Sequence, residues 1–255
     1  MRQATVAVRC LAARPTGYVD DIVMSTQPSG AWERYAWSAG IVFVVALLVE
    51  SAIAVGIGLT HDDSAATIAT GLHEHEQRLI AIACISIVYA AAFVVYLWKL
   101  SYRLRGDPDR PDSLSTLVLV GGVLFVTLHA VSDIGITGML GAKVASYSAA
   151  HDQGVAYSLY YLTYALDSVG DVFGSVAFLA AGVLILRTGA LGRRLGWMAI
   201  VTAPLLFLQG FGLGGVIATF GLVLDLLGFV GLLIFVVGSS IVGMLPPASS
   251  TKGNP

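Results

Sequence analysis

The sequence predicts an all-α fold, a polytopic transmembrane bundle of about six helices, and three observations predict it. Of the 255 residues, 56% are hydrophobic and 12% charged, with a mean hydropathy of +0.82, more apolar surface than a soluble domain of this length hides in a core. The apolar residues fall in runs long enough to cross a hydrocarbon layer of roughly 30 Å, which takes about 20 helical residues. Each run is continuous, without the period-two alternation of a membrane barrel.

The runs are Trp37 to Leu59, Leu79 to Leu100, Leu117 to Gly138, Tyr164 to Leu186, Leu195 to Val216 and Thr219 to Leu245, one of them more polar than the rest. They divide the chain into an N-terminal tail over 1–35, a transmembrane domain over 36–245 and a polar tail over 246–255. Basic residues orient the bundle, because Lys and Arg are retained in cytoplasmic connections. With the N-terminus inside, Arg2, Arg9, Arg14, Arg34, Lys99, Arg103, Arg105, Arg110, Arg187, Arg193, Arg194 and Lys252 all fall on the cytoplasmic side. Only Arg78 and Lys143 fall outside, so twelve of fourteen agree. Both termini are expected in the cytoplasm and the chain in the cell membrane.

The first 23 residues carry scattered arginines and no continuous apolar stretch, so disorder is expected there rather than a signal peptide; Met24 opens a tidier leader and is an alternative start. The segment HDDSAATIATGLHEHEQR, with Ile68 and Leu72 at helical spacing, reads as a short interfacial helix. Tyr157, Tyr160, Tyr161 and Tyr164 read as an aromatic belt at the headgroup level. Gly170 with Gly174, Gly210 with Gly214, and Gly221 with Gly228 and Gly231 have the spacing of close helix packing, expected among the fourth to sixth spans. Cys84 is expected to be a small buried hydrophobe. No basic tract suggests a nucleic-acid partner; the bilayer is the partner the composition implies.

Chemistry is expected from the ionisable residues inside the spans, each of which costs at least ~2.5–3.5 kcal/mol at mid-bilayer unless it faces protein or water. These are Glu50, His129, Asp133, Asp167, Asp171 and Asp225. On the stated topology all lie in the outer half, on four helices, as an outward-facing acidic cavity requires. His129 with Asp133, and Asp167 with Asp171, are i, i+4 pairs that share a helix face. Lys99 being counted with the second connection, no Lys or Arg lies inside a span, and only His129 is available as a cationic partner. Crowded carboxylates then take up protons, are hydrated or bind a cation. His129, Asp133 and Asp171 form the candidate metal set, for a divalent ion; Glu50, Asp167 and Asp225 form the candidate proton or cation cluster. The external run His73, Glu74, His75, Glu76 is either a loose metal- or pH-sensing element or a solvated loop.

The stretches WSAGIVFVVALLVESAIAVGIG, YLWKLSYRLR and LAAGVLILRTGALGRRLGWMAIV give the chain a layout that resembles bacterial, actinobacterial-type six-helix membrane proteins of a family of unknown function. That resemblance implies a fold and no activity. His129 and Asp133 are also faintly similar to ceramidase and adiponectin-receptor-like intramembrane zinc hydrolases, although a single intramembrane histidine and the lack of HxxxH depart from that pattern. Three readings follow: a proton- or cation-linked transporter or ligand-binding protein, a non-catalytic membrane subunit or assembly partner, and a metal-dependent intramembrane hydrolase. A small cation or small-molecule ligand is the partner expected under the first.

Overall fold

A computed structural model describes residues 30–60, 63–106, 112–140, 143, 153–210 and 218–245. Every element among them is helical: α1 (Gly30–Val55), α2 (Ala65–Glu74), α3 (Glu76–Leu104), α4 (Ser113–Ala130) with a π-helical continuation (Val131–Leu140), α5 (Gln153–Thr188), α6 (Arg193–Gly210) and α7 (Ala218–Met244). The expected N-terminal tail over 1–35 is corrected at its end, where α1 already begins at Gly30; residues 1–29 and 246–255, with Gly214, lie outside the described residues.

The six long helices close a ring. α1 packs on α3, α3 on α4, α4 on α5, α5 on α6, α6 on α7, and α7 returns to α1. Successive helices run in opposite directions, so one end of the ring carries the α3–α4 and α5–α6 turns. That end is called the tail end, and the other, covered by α2, the α2 end. At the tail end Asp112 caps α4 by accepting from the Leu114 N–H at 3.0 Å. The α5–α6 turn needs left-handed backbone at Gly189 and Gly192 (φ 69° and 87°), which only glycine adopts without strain.

Among the described residues five helices are long and apolar enough to cross a membrane: α1, α3, α4 with the start of its π continuation, α5 and α7. The sixth expected span, Leu195 to Val216, corresponds to α6, which falls short of the others. It has 18 residues, begins with Arg193 and Arg194 and carries Pro204 within. Residues 211–217, into which that span was expected to run, lie outside the described set. α5, by contrast, starts well before Tyr164 and runs for 36 residues. At 1.5 Å per residue this is about 54 Å, more than the hydrocarbon layer needs.

The extra turns of α5 serve α2. Ser64 caps α2 by accepting from the Thr67 N–H at 3.2 Å, and Ile68, Ala69 and Leu72 are buried against Leu79 and Ala156, with Tyr157 and Tyr160 alongside. The short amphipathic helix therefore lies over the bundle, with its apolar face turned down. Two of the four tyrosines of the expected belt, Tyr157 and Tyr160, belong to this apolar cap, whereas Tyr161 and Tyr164 are exposed.

The principal core occupies the tail half. Phe43, Phe93, Tyr96, Phe125, Phe178 and Phe235 come from five helices, with Phe43 and Phe93 rings 4.3 Å apart and Phe178 and Phe235 rings 4.9 Å apart. Space left between them amounts to only about 10 Å³. Glycine sets the helix spacing, in part with the partners expected. Gly170 and Gly174 abut His129 and Phe125 on α4, not the later helices, while Gly228 and Gly231 meet Gln209 and Thr202 on α6. Cys84 also departs from expectation, being exposed on the outer face of α3.

Candidate functional site between two apolar clusters

Between the aromatic core and the α2 cap lies a layer of polar side chains. α1 contributes Glu50, α3 contributes Ser86 and Tyr89, α4 and its continuation contribute His129, Ser132 and Asp133, and α5 contributes Asp167 and Asp171. Antiparallel packing of α4 on α5 brings these groups into register: Ser132 Oγ donates to the Thr163 carbonyl at 3.3 Å, Asp167 lies beside Ser132, and Asp171 faces His129. One turn further along, Gly174 receives Phe125, where the polar layer gives way to the aromatic core.

Asp133 sits on the π-helical continuation, a wide-turn geometry found mostly at single sites within helices and often where function needs a re-aimed side chain. Its Oδ2 accepts from the Tyr89 hydroxyl and lies 3.3 Å from Ser86 Oγ. Ser86 Oγ also lies 2.9 Å from the Ile82 carbonyl, so one hydroxyl proton serves two acceptors and Tyr89 is the committed donor. These two hydroxyls were not singled out from the sequence. The signal was Ser86 and Tyr89 three residues apart in an apolar run, polar groups sharing one face of α3.

His129 points to α5. Its Nδ1 lies 2.9 Å from the Phe125 carbonyl, which only accepts, so Nδ1 carries a proton. Nε2 lies 3.5 Å from Asp171 Oδ1, and Asp171 is buried, so a further proton between them makes the contact attractive. Gly170 permits this approach, because a Cβ there would run into the His129 ring. The i, i+4 pair His129 and Asp133 thus straddles a seam: His129 engages α5 and Asp133 engages α3.

Glu50 and Asp133 line one cavity of about 150 Å³. Its remaining wall is Ala54, Ile57, Leu59, Leu72, Leu79, Ile82 and Tyr160, with no basic side chain among them. Leu59 and Leu72 belong to the α2 cap, so the cavity is partly roofed where an open vestibule was expected. Glu50 is within electrostatic reach of Asp133, Asp167 and His129. Asp167 is in turn within reach of His129, Asp133 and Asp171, and its Oδ1 is buried with no hydrogen-bond partner among the described residues.

Two expectations fare differently. Asp225 stays apart, exposed on α7 although within electrostatic reach of Asp171. Among the described residues no three His, Cys, Asp or Glu side chains are grouped to hold a metal ion, which covers both the set His129, Asp133, Asp171 and the run His73 to Glu76. His75 marks the junction between α2 and α3. Lys99, counted with a connection from sequence, is buried inside α3 at the tail end, where its Nζ pairs with Glu33 at 2.7 Å. It is therefore not available to the acids of the polar layer, whose basic neighbour is His129.

A helical ring with five apolar, membrane-length helices defines the class: a multi-pass membrane protein in contact with the lipid bilayer. Compared with known family models, curated proteins and solved structures, the chain matches none, and the two resemblances read from its motifs receive no support.

Proposed function

We propose that the protein binds and exchanges a cation at Glu50 and Asp133, as a transporter-like or ligand-binding bundle of six spans, with α6 the sixth. One observation carries the reading: two carboxylates face a single cavity whose wall, among the described residues, holds no Lys, Arg or His. Two acids confined together in apolar surroundings are costly while both are charged, and a cation between them removes the cost. Tyr89 and Ser86 hold Asp133 in place, while His129, Asp171 and Asp167 behind it form a second group through which protons can be redistributed.

The basic residues favour the α2 end as the outer face of the cell membrane, with both termini inside. On that topology a cysteine placed at Ser64 reacts with an impermeant thiol reagent in intact cells and one at Ser113 does not. The binding reading is tested by thermal unfolding of detergent-purified protein with and without monovalent, divalent and organic cations. A ligand at about 100 times its Kd adds about 2.7 kcal/mol of stability. Stabilisation of the parent protein that is lost in the near-isosteric Glu50→Gln supports the reading; no stabilisation by any cation removes it. Asp225 favours the second reading, a membrane subunit, since an exposed acid within a span suits a basic side chain of a partner helix.

A further inference from the structure

We infer that the cation taken up by the Glu50–Asp133 cavity is a short-chain aliphatic amine in its ammonium form. The inference rests on the proposed cation site and names the class of its ligand. Three properties of the cavity select among cations.

The first is donor count. Calcium takes six to eight oxygen ligands and zinc usually four donors. The charged oxygen donors lining this cavity among the described residues are two carboxylates, and one oxygen of Asp133 is already engaged by Tyr89 and Ser86. A small inorganic ion would also exchange its hydration shell for aliphatic wall.

The second is the wall itself. Apart from the two acids and Tyr160 it is aliphatic, with Leu72 from the cap and Leu79 and Ile82 from α3. Proton uptake alone would make no use of such a surface. An alkylammonium ion uses both parts: its N–H donors meet the carboxylates in charge-assisted hydrogen bonds, and its carbon stem lies on the aliphatic wall.

The third is size. At about 30 Å³ of liquid volume per water-sized group, a cavity of about 150 Å³ accepts at least roughly five non-hydrogen atoms. That matches an ammonium group on a short chain.

The test is a titration of full-length, detergent-purified protein with n-alkylammonium ions from two to six carbons, with sodium and calcium as comparison ions, read by calorimetry or thermal shift. The expected result is affinity that rises roughly fourfold per methylene until the cavity is filled and then levels or falls. Glu50→Gln is expected to lose at least tenfold at every chain length, which separates binding in the cavity from partition into detergent. Leu79→Ala, which enlarges the cavity and keeps both acids, is expected to move the optimum to a longer chain. Binding of sodium or calcium with no dependence on alkyl length would overturn the amine assignment and leave the cation site standing. Chain-length dependence that persists unchanged in folded Glu50→Gln would also overturn it. A response to no cation at all would remove both.

Discussion

At the tail half of the ring, Phe93 touches Phe43, Tyr96 and Phe125, and the space between the rings is close to nothing; at the α2 half, Glu50 and Asp133 face a cavity about fifteen times larger. Both halves draw on α1, α3, α4 and α5, to which the tail half adds Phe235 of α7 and the other half Leu72 of α2. The difference is in what each half asks of its neighbours. Aromatic rings are satisfied by contact alone, whereas each acid needs a proton, a donor or a cation, and the described residues supply only part of this: Tyr89 and Ser86 for Asp133, His129 for Asp171, and none of them for Asp167 Oδ1. A closed half and an incompletely satisfied half in one bundle is the arrangement on which the proposed cation site rests.

The largest expected effect breaks the closed half. Phe93→Ala empties the centre of the aromatic cluster and is expected to cost about 3–5 kcal/mol, seen as a lowered unfolding temperature, with cation affinity unchanged in whatever remains folded. A loss of affinity equal to the loss of stability would mean the halves are not separable. Tyr89→Phe keeps the ring and removes the donor to Asp133, and is expected to cost about 1–3 kcal/mol. Unlike Phe93→Ala it is also expected to change cation affinity, because Asp133 loses the group that orients it. Smallest is Asp225→Asn, expected to stay within about 0.5 kcal/mol and to leave affinity alone, since that side chain is exposed and outside the cavity. An affinity change there would move the site toward α7.

Much of this was legible from residues alone, for identifiable reasons. Long apolar runs have only one way to satisfy their backbone in lipid, so five of the spans could be read directly; α6 was the exception because arginines, a proline and a short length weaken the same signal. The amphipathic spacing of Ile68 and Leu72 announced α2, but the surface it covers depends on α5 extending past the membrane, which no local pattern announces. Depth and helix faces pointed to Glu50, His129, Asp133, Asp167, Asp171 and Asp225 together, and of these Asp225 lies apart, exposed on α7. Their partners were not readable, because Tyr89, Ser86 and Ser132 are brought in by packing of other helices, and because the π continuation of α4 alters the aim of Asp133. Gly170 was read as a packing residue for the later helices, yet spacing alone cannot say which neighbour a glycine admits; its neighbour is His129.

The central claim is that Glu50 and Asp133 hold one cation between them, and a double-mutant cycle tests it most directly: cation affinity of the parent protein, Glu50→Gln, Asp133→Asn and the double variant, each confirmed folded. Two groups that share one ligand are coupled, so each single substitution is expected to lose at least tenfold, about 1.4 kcal/mol, and the double variant to be little worse than the poorer single. Losses that simply add, or a single substitution that leaves affinity untouched, would contradict the claim.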